Sequence, residues 1–520
     1  MAGKRARLVG VIVCLLIIAG CRTGPCQWVR NGFKVGPQYC RPKAVTANHW
    51  IDPEVPNITS AGCDYSHWWT VFNDPVLDTL VDYAYEENLT LRAAGCRVLQ
   101  ARAERGVAVG GLFPQSQQFF AEYDRIQQSR NSVRIVPTRA YSNWATGFDA
   151  MWELDFWGRF RRSVEAADAN LDAKIGEYDE VLVCLVAEVA VAYAEVRTYQ
   201  ERLRYTLANV ESQRGSLKIA QSRFDHGAVT KLDVEQAKAN LAGTESMVPL
   251  LKIGLRKAEN RLCVLLGLPP CDLTHILVHP QAIPTAPAEV AVGIPAELLR
   301  RRPDIRRAER LVAAQCARIG VAEADLYPQF ILTGSIQVEA FELTELFSSA
   351  SNAGFIGPAF RWNVLNYGRI KNNIHAHDSR FQQLVAEYKE TVLNANREVE
   401  DSLVAFLKSR KQVKHLEESV RAAEQSVVLV KIQYEGGAVD FDRVLTAQIF
   451  LAEQQDQLAT TRGEVIRSLI GLYKALGGGW KMRCRHQRPG QPLNAPGQLD
   501  NGVTVAQFIE EEPSVPRPDR

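Results

Sequence analysis

Hydrophobic and polar residues alternate with period two in four short stretches of this chain, and each predicts a β-strand with one apolar face. Between positions 144 and 154 the even places hold Trp144, Thr146, Phe148, Ala150, Trp152 and Leu154, while Asn143, Asp149, Glu153 and Asp155 hold odd ones. Phe330, Leu332, Gly334, Ile336 and Val338 alternate with Gln329, Thr333, Ser335, Gln337 and Glu339. Ile356, Phe360, Trp362 and Val364 alternate with Gly357, Ala359, Arg361 and Asn363. A weaker stretch sets Phe119, Ala121 and Tyr123 against Gln118, Glu122 and Asp124. Alternation over about 9–11 residues is what a bilayer-spanning strand needs, although it also suits an amphipathic strand in a soluble sheet.

A second periodicity belongs to helices. Leu182, Leu185, Val189, Tyr193 and Val196 fall at spacings of 3, 4, 4 and 3, and Val392, Ala395, Val399, Leu403 and Phe406 repeat them. This is a coiled-coil-like apolar stripe. No proline occurs between Pro137 and Pro249 or between Pro358 and Pro489, so nothing forces a break in either region.

The two stripes are copies of one another. Trp152, Gly158 and Arg159 match Trp362, Gly368 and Arg369 at an offset of 210 positions, and that offset needs no gap for over a hundred residues. Phe224, Gly227, Ala228, Val229, Val234, Ala237 and Leu241 match Tyr434, Gly437, Ala438, Val439, Val444, Ala447 and Leu451. The chain is therefore a tandem duplication, each half reading helix, strand, strand, long helix, turn, long helix. The matched turns run Phe224-Asp225-His226-Gly227-Ala228-Val229-Thr230 and Tyr434-Glu435-Gly436-Gly437-Ala438-Val439-Asp440. Glycine ends a helix in the left-handed conformation, and Thr230 and Asp440 are suited to N-cap the returning helix. Structurally these are helical hairpin corners; as identical corners of two repeats they would also form the far tip, where a partner would dock, and the two readings are compatible.

Expected boundaries are 1–20 for an export signal, 21–75 for a lipid-anchored extended segment and 76–270 for the first repeat. A linker over 271–290, the second repeat over 291–480 and a flexible tail over 481–520 complete the chain. The signal rests on the basic residues Lys4, Arg5 and Arg7 ahead of an apolar core at 8–19. Ile18-Ala19-Gly20-Cys21 resembles a bacterial lipobox, which makes Cys21 the lipidated first residue of the mature protein.

Composition excludes more than it assigns. No later run of 18 or more apolar residues could form a membrane-spanning helix. The balance of 61 basic and 59 acidic residues gives no field to attract nucleic acid. Among eleven cysteines, Cys26, Cys40 and Cys63 cluster near the start, where an oxidising compartment could pair two of them, and Cys184, Cys263 and Cys316 read as small core residues. No catalytic set, metal site or cofactor site is predicted. His375 and His377 stand two apart on a helix and point to different faces. Arg300-Arg301-Arg302-Pro303 reads as a helix start, and Gly477-Gly478-Gly479 lacks the lysine and hydroxyl of a phosphate loop. Glu188 and Glu398 could line a tunnel or pair between helices, and pairing is the favoured expectation.

Four strands cannot close a membrane barrel, which takes at least about eight in a single chain, and an open sheet edge cannot lie in hydrocarbon. If these strands span a membrane, several chains must share one barrel, with the long helices continuing as a helical tube.

These residues resemble the TolC/NodT-like outer-membrane efflux lipoproteins. The resemblance covers positions from about 35 to 479. Its pieces are Val35-Gly36-Pro37-Gln38-Tyr39 with Arg41-Pro42, Trp68-Trp69 before Phe72-Asn73-Asp74-Pro75, and FDAMWELDFWGR at 148–159. Arg301-Arg302-Pro303-Asp304-Ile305 with Ala308-Glu309 follows, then YEGGAVDFDRVLTAQ at 434–448. The resemblance implies an α+β membrane protein: a tandem-duplicated protomer with long coiled-coil hairpins and four strands, completing a homotrimeric twelve-stranded barrel and a periplasmic helical tunnel. It implies a passive exit duct, not an enzyme, in the bacterial outer membrane, held there by lipid and joined to a periplasmic adaptor and an inner-membrane pump. Loops at 128–140 and 340–351 would face outside. The tips Gly227, Ala228, Val229, Thr230, Gly437, Ala438, Val439 and Asp440 would contact the adaptor. Asp440, Asp442 and Arg443 would gate the inner end through inter-subunit ion pairs; Arg443 and Thr446 stand where relatives often carry carboxylates. The alternative is a periplasmic coiled-coil spacer lipoprotein without a pore.

Overall fold

The computed structural model describes residues 25–45, 50–51, 58–59, 65–129, 131, 139–277, 282–287, 290–291 and 298–485. The signal segment, Cys21, Cys63 and positions 486–520 lie outside them. Helices α1 (Pro75–Glu87) and α2 (Leu89–Gly110) precede strands β1 (Ser116–Gln127) and β2 (Ala140–Leu154), then α3 (Arg159–Asp225) and α4 (Lys231–Leu265). The second half gives α5 (Pro303–Ala324), β3 (Gln329–Ala340), β4 (Asn352–Arg361), α6 (Arg369–Glu435) and α7 (Phe441–Ala475).

The duplication survives in the lengths. α3 and α6 each have 67 residues, α4 and α7 each have 35, and α2 and α5 each have 22. At 1.5 Å per residue the longest helices run about 100 Å. Pro249 sits inside α4 without ending it, whereas its copy in α7 is Ala459. The predicted stripe is buried: Leu182, Val189, Tyr193 and Val196 are 0% exposed, and their copies Val392, Val399, Leu403 and Phe406 are at most 1%.

The chain forms two compact units, and each draws residues from both repeats. One contains the sheet, in the order β1-β2-β3-β4 with every pairing antiparallel. Its register aligns the four alternations predicted from sequence. Phe119 lies opposite Phe148, Phe148 opposite Ile336, Leu154 opposite Phe330, and Phe330 opposite Phe360. The four apolar rows therefore share one face, and that face is bare: Phe119, Phe148, Ile336, Ile356 and Phe360 are each more than 60% exposed. β1 and β4 each pair on one side only.

Two strand limits differ from expectation. β4 stops at Arg361, short of the alternation that reaches Val364. The Trp362 indole N–H donates to the Leu326 carbonyl at 2.9 Å, which draws the chain out of the ladder. The first stretch, weak in sequence, is a full strand of 12 residues because β2 templates its whole length.

In the same unit the N-terminal segment packs on the repeat. Arg162 donates to the carbonyls of Val35 and Gly36, and Tyr39 and Arg41 both reach Glu309. A Cβ on Gly36 would stand 2.4 Å from the Gly320 Cα, so the resembling motif Val35-Gly36-Pro37 marks a close backbone crossing. Cys26 and Cys40, expected to offer a disulfide, are free and exposed. Cys63, the third member of that predicted cluster, lies outside the described residues.

The other unit contains both hairpin ends. Leu416, Val420, Ala423 and Val427 of α6 pack with Leu451 and Leu458 of α7 at heptad-like spacing. Polar bonds join the hairpins, with Asn209 donating to Gln455 at 2.9 Å and Arg202 bidentate to Asp456 at 2.7 and 3.0 Å. Asp74 caps α1 by accepting from Val76 N and Leu77 N. It also accepts from the Tyr193 hydroxyl, which in turn accepts from the fully buried Arg197.

Candidate functional site

Both long helices that lead outward end in the same way. Gly227 (φ 72°) and Gly437 (φ 77°) occupy the left-handed region, where a Cβ is penalised. The amides of Gly227 and Ala228 donate to the Phe224 and Arg223 carbonyls, and those of Gly437 and Ala438 to the Tyr434 and Gln433 carbonyls. These are paired Schellman closures, which satisfy the last carbonyls of each helix. Ala228, Thr230, Ala438 and Asp440 are exposed, and Val229 and Val439 are half-buried.

The two tips are packed together. Ala220, Val234 and Ala237 of the first hairpin share a core with Tyr434, Phe441 and Val444 of the second, and Val229 and Val439 close over it. Thr230 and Asp440 take the N-cap positions, but neither side chain makes the capping bond expected of it. The Thr230 hydroxyl donates instead to the Asp233 carboxylate at 3.2 Å.

A contact between hairpins that the sequence reading missed holds this core. The Arg223 guanidinium donates to the Tyr434 carbonyl and lies 4.7 Å from the Tyr434 ring centre, within cation–π range. The Tyr434 hydroxyl donates to Asp233 at 3.4 Å. Burial, with the Asp233 charge adding to it, pushes the Tyr434 phenol up to about 12, so it stays neutral and a donor. Nearby, Lys431 donates to the Ser212 hydroxyl and carbonyl at 2.7 and 3.2 Å, and burial lowers its pKa. A signal for these residues existed: Arg223, Tyr434 and Asp233 are places where the repeats differ, their copies being Gln433, Phe224 and Arg443.

Asp440, Asp442 and Arg443 are exposed, and among the described residues no ion pair within the chain joins them. Asp442 and Arg443 lie in the first turn of α7. An acidic residue is favoured there by the helix dipole and a basic one is not. Elsewhere, Glu398 does pair, with Arg302 at 2.8 Å, while Glu188 is exposed. His377 is held by the Gln315 amide through its ring and carbonyl. Among the described residues no group of three or more His, Cys, Asp or Glu could hold a metal ion, and no helix is long and apolar enough to cross a membrane.

A family model described as "Outer membrane efflux protein" matches residues 80–268 and 294–478, one match in each repeat. The chain is 31% identical over 454 residues to nodulation protein T of Rhizobium leguminosarum bv. trifolii, covering 86% of this chain and 95% of that one. It is 32% identical over 419 residues to the solvent efflux pump outer membrane protein SrpC of Pseudomonas putida, covering 79% and 87%. Among solved structures it resembles the outer-membrane channel OprN, with a TM-score of 0.81 and 33% identity over 86% of this chain and 99% of that one.

Proposed function

The chain belongs to the outer membrane efflux protein family, and from that premise we infer that it is the passive exit duct of a tripartite export system. Three copies complete a twelve-stranded barrel, four strands from each. The observation that carries this reading is a sheet with two open edges and a bare apolar face. Hydrocarbon tolerates neither unpaired amides nor an unclosed sheet, whereas outward apolar residues are what a lipid-facing barrel wall requires. The duct receives cargo from an inner-membrane pump through a periplasmic adaptor and does no chemistry on it. Cys21 carries the lipid that fixes the mature chain to the outer membrane, and the tips at Gly227–Thr230 and Gly437–Asp440 receive the adaptor.

Asp440, Asp442 and Arg443 close the inner entrance by ion pairs between neighbouring subunits. Arg443 supports this, since a cation in a helix first turn that has no acidic partner among the described residues of its own chain can be satisfied by one from a neighbour. Exposed pairs contribute only about 0–1 kcal/mol each, so threefold repetition gives the closure its strength. Two measurements test the reading. Purified trimers in planar lipid bilayers are expected to conduct ions; a salt-extractable monomer without conductance would instead fit a pore-less spacer. Arg443→Ala should raise single-channel conductance, and an unchanged value removes the ion-pair gate while leaving the duct intact.

A further inference from the structure

Two sulfurs that no part of the channel reading uses lie side by side. Cys263 is fully buried near the end of α4, and Cys271 follows in the half-exposed start of the linker. Their Sγ atoms are 3.7 Å apart, and the Cys263 thiol also faces the Cys271 carbonyl at 3.7 Å. We propose that Cys263 and Cys271 form a disulfide once the chain is exported, clamping the end of the first hairpin to the linker that leads into the second repeat.

The local structure brings them together. Gly267 N–H donates to the Val264 carbonyl and Leu268 N–H to the Cys263 carbonyl, so the chain folds back over the last turn of α4. Pro269 and Pro270 stiffen the return, and Asn88 holds the helix end by donating to the Leu265 carbonyl at 2.8 Å. A disulfide of about 2.05 Å requires the sulfurs to approach by roughly 1.7 Å from the 3.7 Å contact. Cys271 lies outside regular secondary structure, with two residues between it and the short helix Thr274–Leu277, so its side chain can supply that movement. Among the described cysteines, Cys26, Cys40 and Cys96 are exposed.

The chemistry is exchange with a periplasmic disulfide carrier. The Cys271 thiolate, the accessible one, attacks a carrier sulfur, forming a mixed disulfide and releasing the carrier's other sulfur as a thiolate. Cys263 then attacks Cys271 Sγ and expels the carrier. Two electrons and two protons pass from the cysteines to the carrier, which leaves as a dithiol. Burial and the neighbouring Cys263 raise the Cys271 pKa, so attack is slow in the folded chain and belongs to the period of folding after export.

Full-length protein extracted from membranes without reductant, denatured and treated with N-ethylmaleimide tests this. Cys263 and Cys271 should be unlabelled before reduction and fully labelled after it, with Cys96 labelled in both samples as the control. Chymotryptic cleavage at Leu265 or Leu266 should leave two peptides joined until reduction. In Cys263→Ser, Cys271 should label without reductant. Labelling of either native cysteine in most unreduced molecules overturns the proposal, as does a Cys271 that stays blocked in Cys263→Ser. None of these readouts depends on conductance, so the outcome is separate from that of the duct.

Discussion

Asp74 shows how much one side chain of the family-like Phe72-Asn73-Asp74-Pro75 motif carries. It caps α1, accepts from Tyr193 and thereby fixes the buried Arg197. Losing a cap costs about 0.5–2 kcal/mol, and leaving a buried hydroxyl without its acceptor costs about 1–3 kcal/mol. Asp74→Ala should therefore destabilise each protomer by about 1.5–5 kcal/mol. The check is the temperature at which the purified assembly dissociates in detergent, which should fall in Asp74→Ala and fall less in Asp74→Asn. The motif was visible in sequence. Its bond to Tyr193, 119 positions away, was not, because nothing local marks a tyrosine as the acceptor's partner.

The tip hairpins repeat the lesson for whole elements. Their turns could be read from glycine placement and the 210-residue offset, and the matched lengths of α3 and α6 bear out the duplication. How the two turns are locked together could not be read that way. Arg223 and Tyr434 differ from their copies, yet only the packing of one hairpin on the other brings the guanidinium onto the ring. Gly437 is the position most exposed to a single change. A valine there would be forced to φ near 77°, at a cost of about 1–2 kcal/mol or more for a β-branched side chain. Gly437→Val is expected to lower export from cells while trimer levels in the membrane stay normal. Retained export would show that this tip is not where the adaptor couples.

For the assembled molecule, the decisive quantity is the contrast between adjacent residues on one strand. Ile336 belongs to the bare apolar face of β3 and Gln337 to the opposite one. On the lipid side of a barrel an arginine costs about 2–4 kcal/mol near the midplane, whereas lumen positions accept polar substitution. Ile336→Arg should abolish or sharply reduce membrane-assembled trimer, and Gln337→Arg should assemble and alter conductance instead. Equal assembly of the two variants, measured by membrane fractionation, would place the lipid face wrongly.

Alternation, heptad spacing, the repeat offset and the tip glycines were all present in the chain as written, because periodicity is a property of neighbouring residues and needs no partner to be seen. Strand register, the Arg223–Tyr434–Asp233 contact and the approach of Cys263 to Cys271 were decided only in the folded state. The first two join residues far apart in the chain, and the third needs the helix end to turn back on itself. Such contacts depend on where whole helices and strands come to rest, which the order of residues along any one segment does not record.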